Sequence, residues 1–381
     1  MLNRSTLGLT IFMAVGLTAG GAMAATTYNV TDLGTLAGQV SSVAQDVNEA
    51  GHVVGYGIDA SGLYKAFVYD QAHGMVGLGT LGGASSTAWG INDLGQITGS
   101  SSTASGVSHA FLAGPGGMVD LTPGAATASA GYDINNSGKV VGDANGQAYA
   151  FAITGDQPQA TALALGYPGL PSARPDLSAA YAVNASGGSV GHASYSLRIN
   201  NYVNYDLAIQ AGSDNTGGVI SGVNLNTYST AKAINDSGVT VGYASFGGTS
   251  SAFVTQGSAL INLGSVAGYA YSGAADINNL GQIVGDVANP SSGASRAFIS
   301  NDGQTLQDLN TFLAPQFAGS WTLLSATAIN ESGQIVGQGL INGAQHAYLL
   351  TPVPEAATNL MMGLGMLGLV GLRLRRLKAK A

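Results

Sequence analysis

The chain contains no cysteine and few charges: Asp, Glu, Lys and Arg together make up 8% of its 381 residues. The first absence excludes disulfides, thiolate metal sites and cysteine nucleophiles at once. Hydrophobic residues reach 45%, so the low charge reflects a sheet-rich, weakly charged surface rather than disorder. Cations are scarcest in the body. Only Lys65, Lys139, Arg174, Arg198, Lys232 and Arg296 lie between residues 25 and 351, against nineteen Asp and Glu, a net charge of −13. Without a basic stripe, such a body is a poor match for nucleic acid or for an anionic membrane surface. Catalytic signatures are also missing: there is no His-Glu-x-x-His helix, Gly-x-Ser-x-Gly elbow, phosphate loop or Asp-x-Asp-x-Asp-Gly calcium loop. No catalytic residue, metal or cofactor is assigned.

Glycine is abundant, at 58 residues, and much of it recurs in one phrase. Asn-x-x-Gly-x-x-Val/Thr-Gly returns at Asn48, Asn92, Asn135, Asn184, Asn235, Asn278 and Asn330, with spacings of 44, 43, 49, 51, 43 and 52 residues. A period of this size means one supersecondary unit per repeat. In the second copy, alternation up to Asn92 is broken by Asp93-Leu94-Gly95 and resumes at Gln96, which predicts a hairpin. Asn can bond its own backbone two residues on, and Gly accepts positive φ, so the turn accounts for both.

Two further elements complete four short strands per repeat. One is Lys65-Ala66-Phe67, His109-Ala110-Phe111, Tyr149-Ala150-Phe151, Ser251-Ala252-Phe253, Arg296-Ala297-Phe298 and His346-Ala347-Tyr348. The aromatic reads as core and the Ala as a site of close approach by a neighbouring unit; the slot of His109 and His346 reads as solvent-facing. The fourth repeat lacks the phrase and offers Tyr205-Asp206-Leu207. The last element is Asp120-Leu121-Thr122 and its relatives. A spare copy, Thr31-Asp32-Leu33-Gly34, stands at the start of the body, while the last repeat ends without one. The expected fold is therefore all-β: a seven-bladed β-propeller of four-stranded blades, its ring closed by the N-terminal strand. A β-solenoid is the alternative.

Candidate sites are few. Asp46, Asp133 and Asp276 precede the Val/Ile-Asn step and would stack around one ring, where carboxylates could hold a cation or act on a glycoside. Gly90, Ala182, Ala233 and Ala328 replace them elsewhere, so the fold does not demand them. Where the fourth repeat departs from the pattern, Tyr195, Arg198, Tyr202 and Tyr205 gather beside Asn200, Asn201 and Asn204. They could stack on a sugar and bond its hydroxyls, or fill a distorted blade.

The two ends read as addresses. Residues 1–24 carry Arg4, an apolar run over 7–17 and Ala22-Met23-Ala24, a secretory signal cleaved after Ala24. Pro352-Val353-Pro354-Glu355 precedes an apolar stretch over 356–372 and then Arg373, Arg375, Arg376, Lys378 and Lys380. This tail, 352–381, resembles the PEP-CTERM sorting signal of Gram-negative bacteria, with Ala356 where Pro is usual. The resemblance implies recognition by an exosortase at Pro354, Glu355 and the arginines, and a membrane contact through this tail alone. Residues 25–351, with His109-Ala110-Phe111 and the ending His346-Ala347-Tyr348-Leu349-Leu350-Thr351-Pro352, resemble the HAF repeat family of bacterial extracellular proteins. That likeness implies location and repeat architecture and brings no catalytic set. The expected function is a non-catalytic binding or structural propeller of the cell envelope or extracellular matrix, with exopolysaccharide or a surface protein as partner. A propeller-type polysaccharide lyase or glycosidase and a protein-interaction scaffold are the alternatives.

Overall fold

Short runs of β-branched, aromatic and small residues between glycine turns favour antiparallel pairing of neighbours in sequence, and each repeat folds as one such sheet. The computed structural model describes residues 26–154, 157–166, 174–198, 202–223 and 227–353. Ala24, Pro354, Glu355, Arg373, Arg375 and Arg376 lie outside them, as do the segments they belong to. Among the described residues no helix is long and apolar enough to cross a membrane.

Blade 1 consists of strands Gln39–Val47, Val53–Asp59, Tyr64–Asp70 and Gly74–Gly77, paired in chain order. Blades 2, 3, 5 and 6 repeat this plan over 82–120, 129–162, 229–264 and 271–308. Blade 7 has three strands of its own over 321–352, and its fourth is Tyr28–Gly34. That N-terminal strand runs antiparallel to Ala344–Pro352, from Tyr28 opposite Pro352 to Gly34 opposite Ala347. The seven-bladed ring is thus closed by its N-terminus, as expected. Blade 4, over 177–219, departs from the plan by taking a fifth strand, Ala164–Gly166, parallel to Thr216–Val219 at its outer edge.

The structure corrects three details of the sequence reading. In blade 3, Asp143 faces Ala148 as Tyr56 faces Ala66 in blade 1, so Gln147-Ala148-Tyr149 is the true copy of the phrase and Tyr149-Ala150-Phe151 is two residues out. A shift of two keeps every side chain on its face, which is why Phe151 is buried all the same. Blade 4 does not lack the phrase: His192 faces Ala208, and Leu207-Ala208-Ile209 supplies it with Ile in place of the aromatic. Finally, His109 is only 3% exposed, with Nδ1 2.8 Å from Asp120 Oδ2 and Nε2 3.1 Å from the Ala125 carbonyl. The equivalent His346 meets Asp32 at 2.8 Å, which ties the closing strand to blade 7.

The repeated alanines do mark close approach. Ala66, Ala110, Ala148, Ala208, Ala252 and Ala347 are buried, and each donates its N–H to a serine of the next blade (Ser86, Ser129, Ser178, Ser229, Ser272 and Ser42) at 2.8–3.1 Å. The phrase glycines have two separate reasons. Gly95 and its equivalents take positive φ, 73° at Gly95 itself. Gly99 and its equivalents lie under a carbonyl of the inner strand: a Cβ at Gly99 would stand 2.0 Å from the Thr87 oxygen.

Asparagine does more than turn the chain. Asn48 Oδ1 accepts from the amides of Ala50 and His52, as turn chemistry predicts. Its Nδ2 donates 3.2 Å to the carbonyl of Asn92 in the next blade. The same bond runs from Asn92 to Asn135, Asn184, Asn235, Asn278 and Asn330, and from Asn330 back to Asn48, at 3.0–3.3 Å. All seven side chains are buried. Replacing Asn235 by Asp keeps the turn acceptor for Val239 but sets a carboxylate oxygen against the Asn278 carbonyl. We expect a loss of about 1–3 kcal/mol, read as a lower urea midpoint at unchanged slope.

Candidate ligand-binding channel

The innermost strand of every blade carries a β-bulge just before the Val/Ile-Asn step, which re-aims one side chain per blade. The register skips between Ala44 and Asp46, Ala88 and Gly90, Gly131 and Asp133, Ala180 and Ala182, Ala231 and Ala233, Ala274 and Asp276, and Ala326 and Ala328. The extra residues are Gln45, Trp89, Tyr132, Tyr181, Lys232, Ala275 and Thr327. All seven line one cavity of about 460 Å3 at the ring's centre.

Its wall is chemically one-sided. Over blades 1 to 4 the rings form an arc: Tyr56 to Trp89 at 5.8 Å between centroids, Trp89 to Tyr132 at 6.2 Å, and Tyr132 to Tyr181 at 5.3 Å, all steeply inclined. Tyr181 is stacked on His192 at 5.5 Å, and Lys232 Nζ lies 4.1 Å from the Tyr181 centroid, a cation–π contact. The Tyr132 hydroxyl donates to Asp143 at 2.8 Å. Burial pushes the Lys232 ammonium and the His192 imidazole down, with the Lys232 charge adding to the effect at His192. It pushes Tyr181 up to about 12. Across the cavity stand Tyr243 and Asp286, the latter raised by burial. Two large rings in this region hold polar atoms without a partner among the described residues, Trp89 Nε1 and His192 Nδ1. Such orphans cost stability and concentrate where stability is not the only requirement.

The three aspartates do converge on the cavity, but their oxygens are already committed. Asp46 accepts from the amides of Val47 and, in the next blade, Ile91, both at 2.8 Å. Asp133 does the same for Ile134 and Val183, and Asp276 for Ile277 and Ile329. One carboxyl therefore serves two blades, so three serve six of the seven equivalent amides. Only Ile234 has no aspartate in its own blade or the preceding one, which carry Ala233 and Ala182. This is why three of the four repeats without Asp still have their amide served. Each carboxyl touches the cavity yet is packed around by protein; burial raises Asp133 and Asp276 to about 6, and burial with repulsion from Asp133 and Asp276 raises Asp46 to about 8.

The residues singled out from the irregular fourth repeat lie elsewhere. Tyr195 faces Tyr205, and Arg198 faces Tyr202, along one long hairpin. Tyr195 is 1% exposed in the core with Leu165, Leu207 and Ile209, and its hydroxyl donates 3.2 Å to the Gly166 carbonyl. Its ring is therefore packing rather than an open platform, and half-buried Tyr205 lies against the same cluster. The side chains of Arg198 and Tyr202 are outside the described residues. Sequence reasoning missed the bulges. Their one visible trace is the position two before Val/Ile-Asn, which reads Gln, Trp, Tyr, Tyr, Lys, Ala, Thr between near-constant neighbours.

No protein-family model and no curated protein sequence matches the chain. Among solved structures it is similar to the β-propeller domain of the Trilobed protease from Pyrococcus furiosus, with a TM-score of 0.55 and 11% identity over 82% of this chain and 94% of that one. That propeller is described as having an open velcro topology, whereas here the N-terminal strand closes blade 7. A gluconolactonase from Xanthomonas campestris aligns over 87% of this chain and 93% of its own at 12% identity and a TM-score of 0.41. The likeness is one of fold.

The aspartates bind protons more tightly when folded than at their ordinary value of 3.8. Their contribution to stability is thus fully present below that ordinary value and is lost as pH rises, for Asp133 and Asp276 by about 6 and for Asp46 by about 8. Asp46→Asn, neutral throughout, should flatten the upper part of that decline. Urea midpoints taken at about pH 6 and pH 8 should differ less in the variant than in the native chain.

Proposed function

We propose that this protein is an exported, non-catalytic glycan-binding propeller of the cell envelope or extracellular matrix, associated with exopolysaccharide. The observation that carries the reading is the channel. Seven bulges deliver non-repeating side chains to one cavity, with Trp89, Tyr132 and Tyr181 on one side, Tyr56 backing Trp89, and Lys232, Tyr243 and Asp286 toward the other. Aromatic rings match the apolar CH faces of sugars, a few convergent polar groups match their hydroxyls, and about 460 Å3 is in the range of small-ligand sites. A glycosidase would need a pair of carboxyl groups free to exchange protons and attack. Here the three clustered carboxyls each hold two backbone amides together, which favours binding over hydrolysis.

Export is supported by the signal-like residues 1–24 and by the PEP-CTERM-like tail with Pro354, Glu355 and its trailing arginines, which an exosortase would process. Mass spectrometry of the mature protein should find a chain that begins after Ala24 and lacks Arg373, Arg375 and Arg376. An intact Ala381 would contradict the sorting signal.

On an array of neutral, amino and uronate polysaccharides the full chain should bind neutral polymers. Trp89→Ala or Tyr132→Ala should weaken binding tenfold or more, about 1.4 kcal/mol. Trp89→Phe should weaken binding without lowering the melting temperature, because the indole N–H it removes has no acceptor. An array without binding, or variants that bind as the native chain does, would remove the channel as the site.

A further inference from the structure

The channel wall has one gap, at blade 6. Its bulged residue, Ala275, is the smallest of the seven. Two positions earlier stands Gly273, where the other blades carry Val43, Thr87, Ala130, Ala179, Thr230 and Ser325. A Cβ at Gly273 would meet nothing closer than Tyr243 Cδ1 at 3.9 Å, so neither packing nor backbone conformation requires glycine there. The missing side chain stands where two spaces adjoin. A second cavity of about 430 Å3 lies between blades 5 and 6 and shares Tyr243, Gly273 and Asp286 with the channel. Its outer part is walled by Tyr228 and Tyr271, which are 43% and 41% exposed. Tyr228 is held against Tyr243 at 6.4 Å between centroids, so the rings lead from the channel mouth outward. Asp286 stands at the junction, its carboxyl without a hydrogen-bond partner among the described residues.

Resting on the channel as a glycan site, we propose that the ligand is a chain: a neutral, β-linked hexose polymer whose end sits in the channel and whose following units leave through the Gly273 gap along the Tyr228–Tyr271 groove. Length follows from the continuity of the two cavities. Neutrality follows from charge, because above about pH 6 Asp133 and Asp276, with Asp286 at the junction, face the path against Lys232 alone, and a polyuronate would be repelled. Sugars with equatorial hydroxyls present the flat apolar faces that tyrosine rings accept, and Asp286 can take two neighbouring hydroxyls as an acceptor.

The test is a titration of the full chain with β-1,4-linked glucose oligomers of one to six units. Affinity should rise at least tenfold from the two-unit to the five-unit oligomer. Tyr228→Ala with Tyr271→Ala, both on exposed residues, should erase that rise while leaving the affinity for the two-unit oligomer unchanged. Gly273→Thr, which installs the residue found in blades 2 and 5, should also erase the rise by closing the gap, with an unchanged melting temperature as its control. Equal affinity for short and long oligomers, or long-oligomer binding that survives the tyrosine variants, overturns the chain but leaves the channel standing. Absence of binding at every length overturns both.

Discussion

A buried asparagine in each repeat joins its own turn to the next blade, and the rest of the structure depends on that bond. Oδ1 fixes the hairpin by accepting from amides within it, while Nδ2 reaches the carbonyl of the next asparagine, so a blade is correctly seated only when its neighbour is. The seventh bond returns from Asn330 to Asn48, which makes the set a closed circle. A primary amide accepts and donates through two separate atoms that point different ways, and leaving either half unmet in a buried site is costly. Serine-to-alanine and aspartate-to-amide bonds repeat the same idea at other levels of the ring. No cysteine is needed, because neighbouring blades fix each other and the N-terminal strand removes the last free edge.

This division of labour separates what repeats from what does not. Asn, the two glycines, Ala and Ser recur because each blade presents the same neighbour to the same neighbour. The bulged residue lines the channel, and its outside contacts differ from blade to blade, as with Tyr132 on Asp143 and Thr327 on the Ala44 carbonyl, so no shared repeat requirement acts on it. Three aromatics, a lysine, a glutamine, a threonine and an alanine occupy that position, so the ring is regular and its lumen is not. The aspartates belong to both groups: they sit at the channel but hold blades together in pairs, and an odd number of blades leaves Ile234 unserved.

Most of the fold was legible in the sequence, because propeller blades are local and antiparallel and their turns are spelled out in glycine and asparagine. The closing strand could be read from a surplus Thr31-Asp32-Leu33-Gly34 and a missing final strand. The blade 3 phrase was misread because Ala148 and Ala150 are equally plausible on an alternating strand, and only the pairing with Asp143 decides between them. The site was scarcely legible. Irregularity in the fourth repeat drew attention to Tyr195, whose ring is core, because an insertion is visible in a sequence and a bulge is not. The bulge's extra residue is present in all seven inner strands, so it leaves no irregularity in the repeat and changes only where one residue points. The buried His109 was misjudged for a related reason: its slot is open in some blades and covered in others by the local loop, here through Asp120 and Ala125.

The central claim is that repeated residues build the ring and the bulged residues bind. A crystal structure of the protein soaked with a six-unit β-1,4-glucose oligomer tests it most directly. The account predicts sugar density inside the channel against Trp89 and Tyr132. Density confined to the opposite face, over the asparagine ring and Glu49, Asp93, Asp236 and Glu331, or against the Tyr195 hairpin, would contradict it.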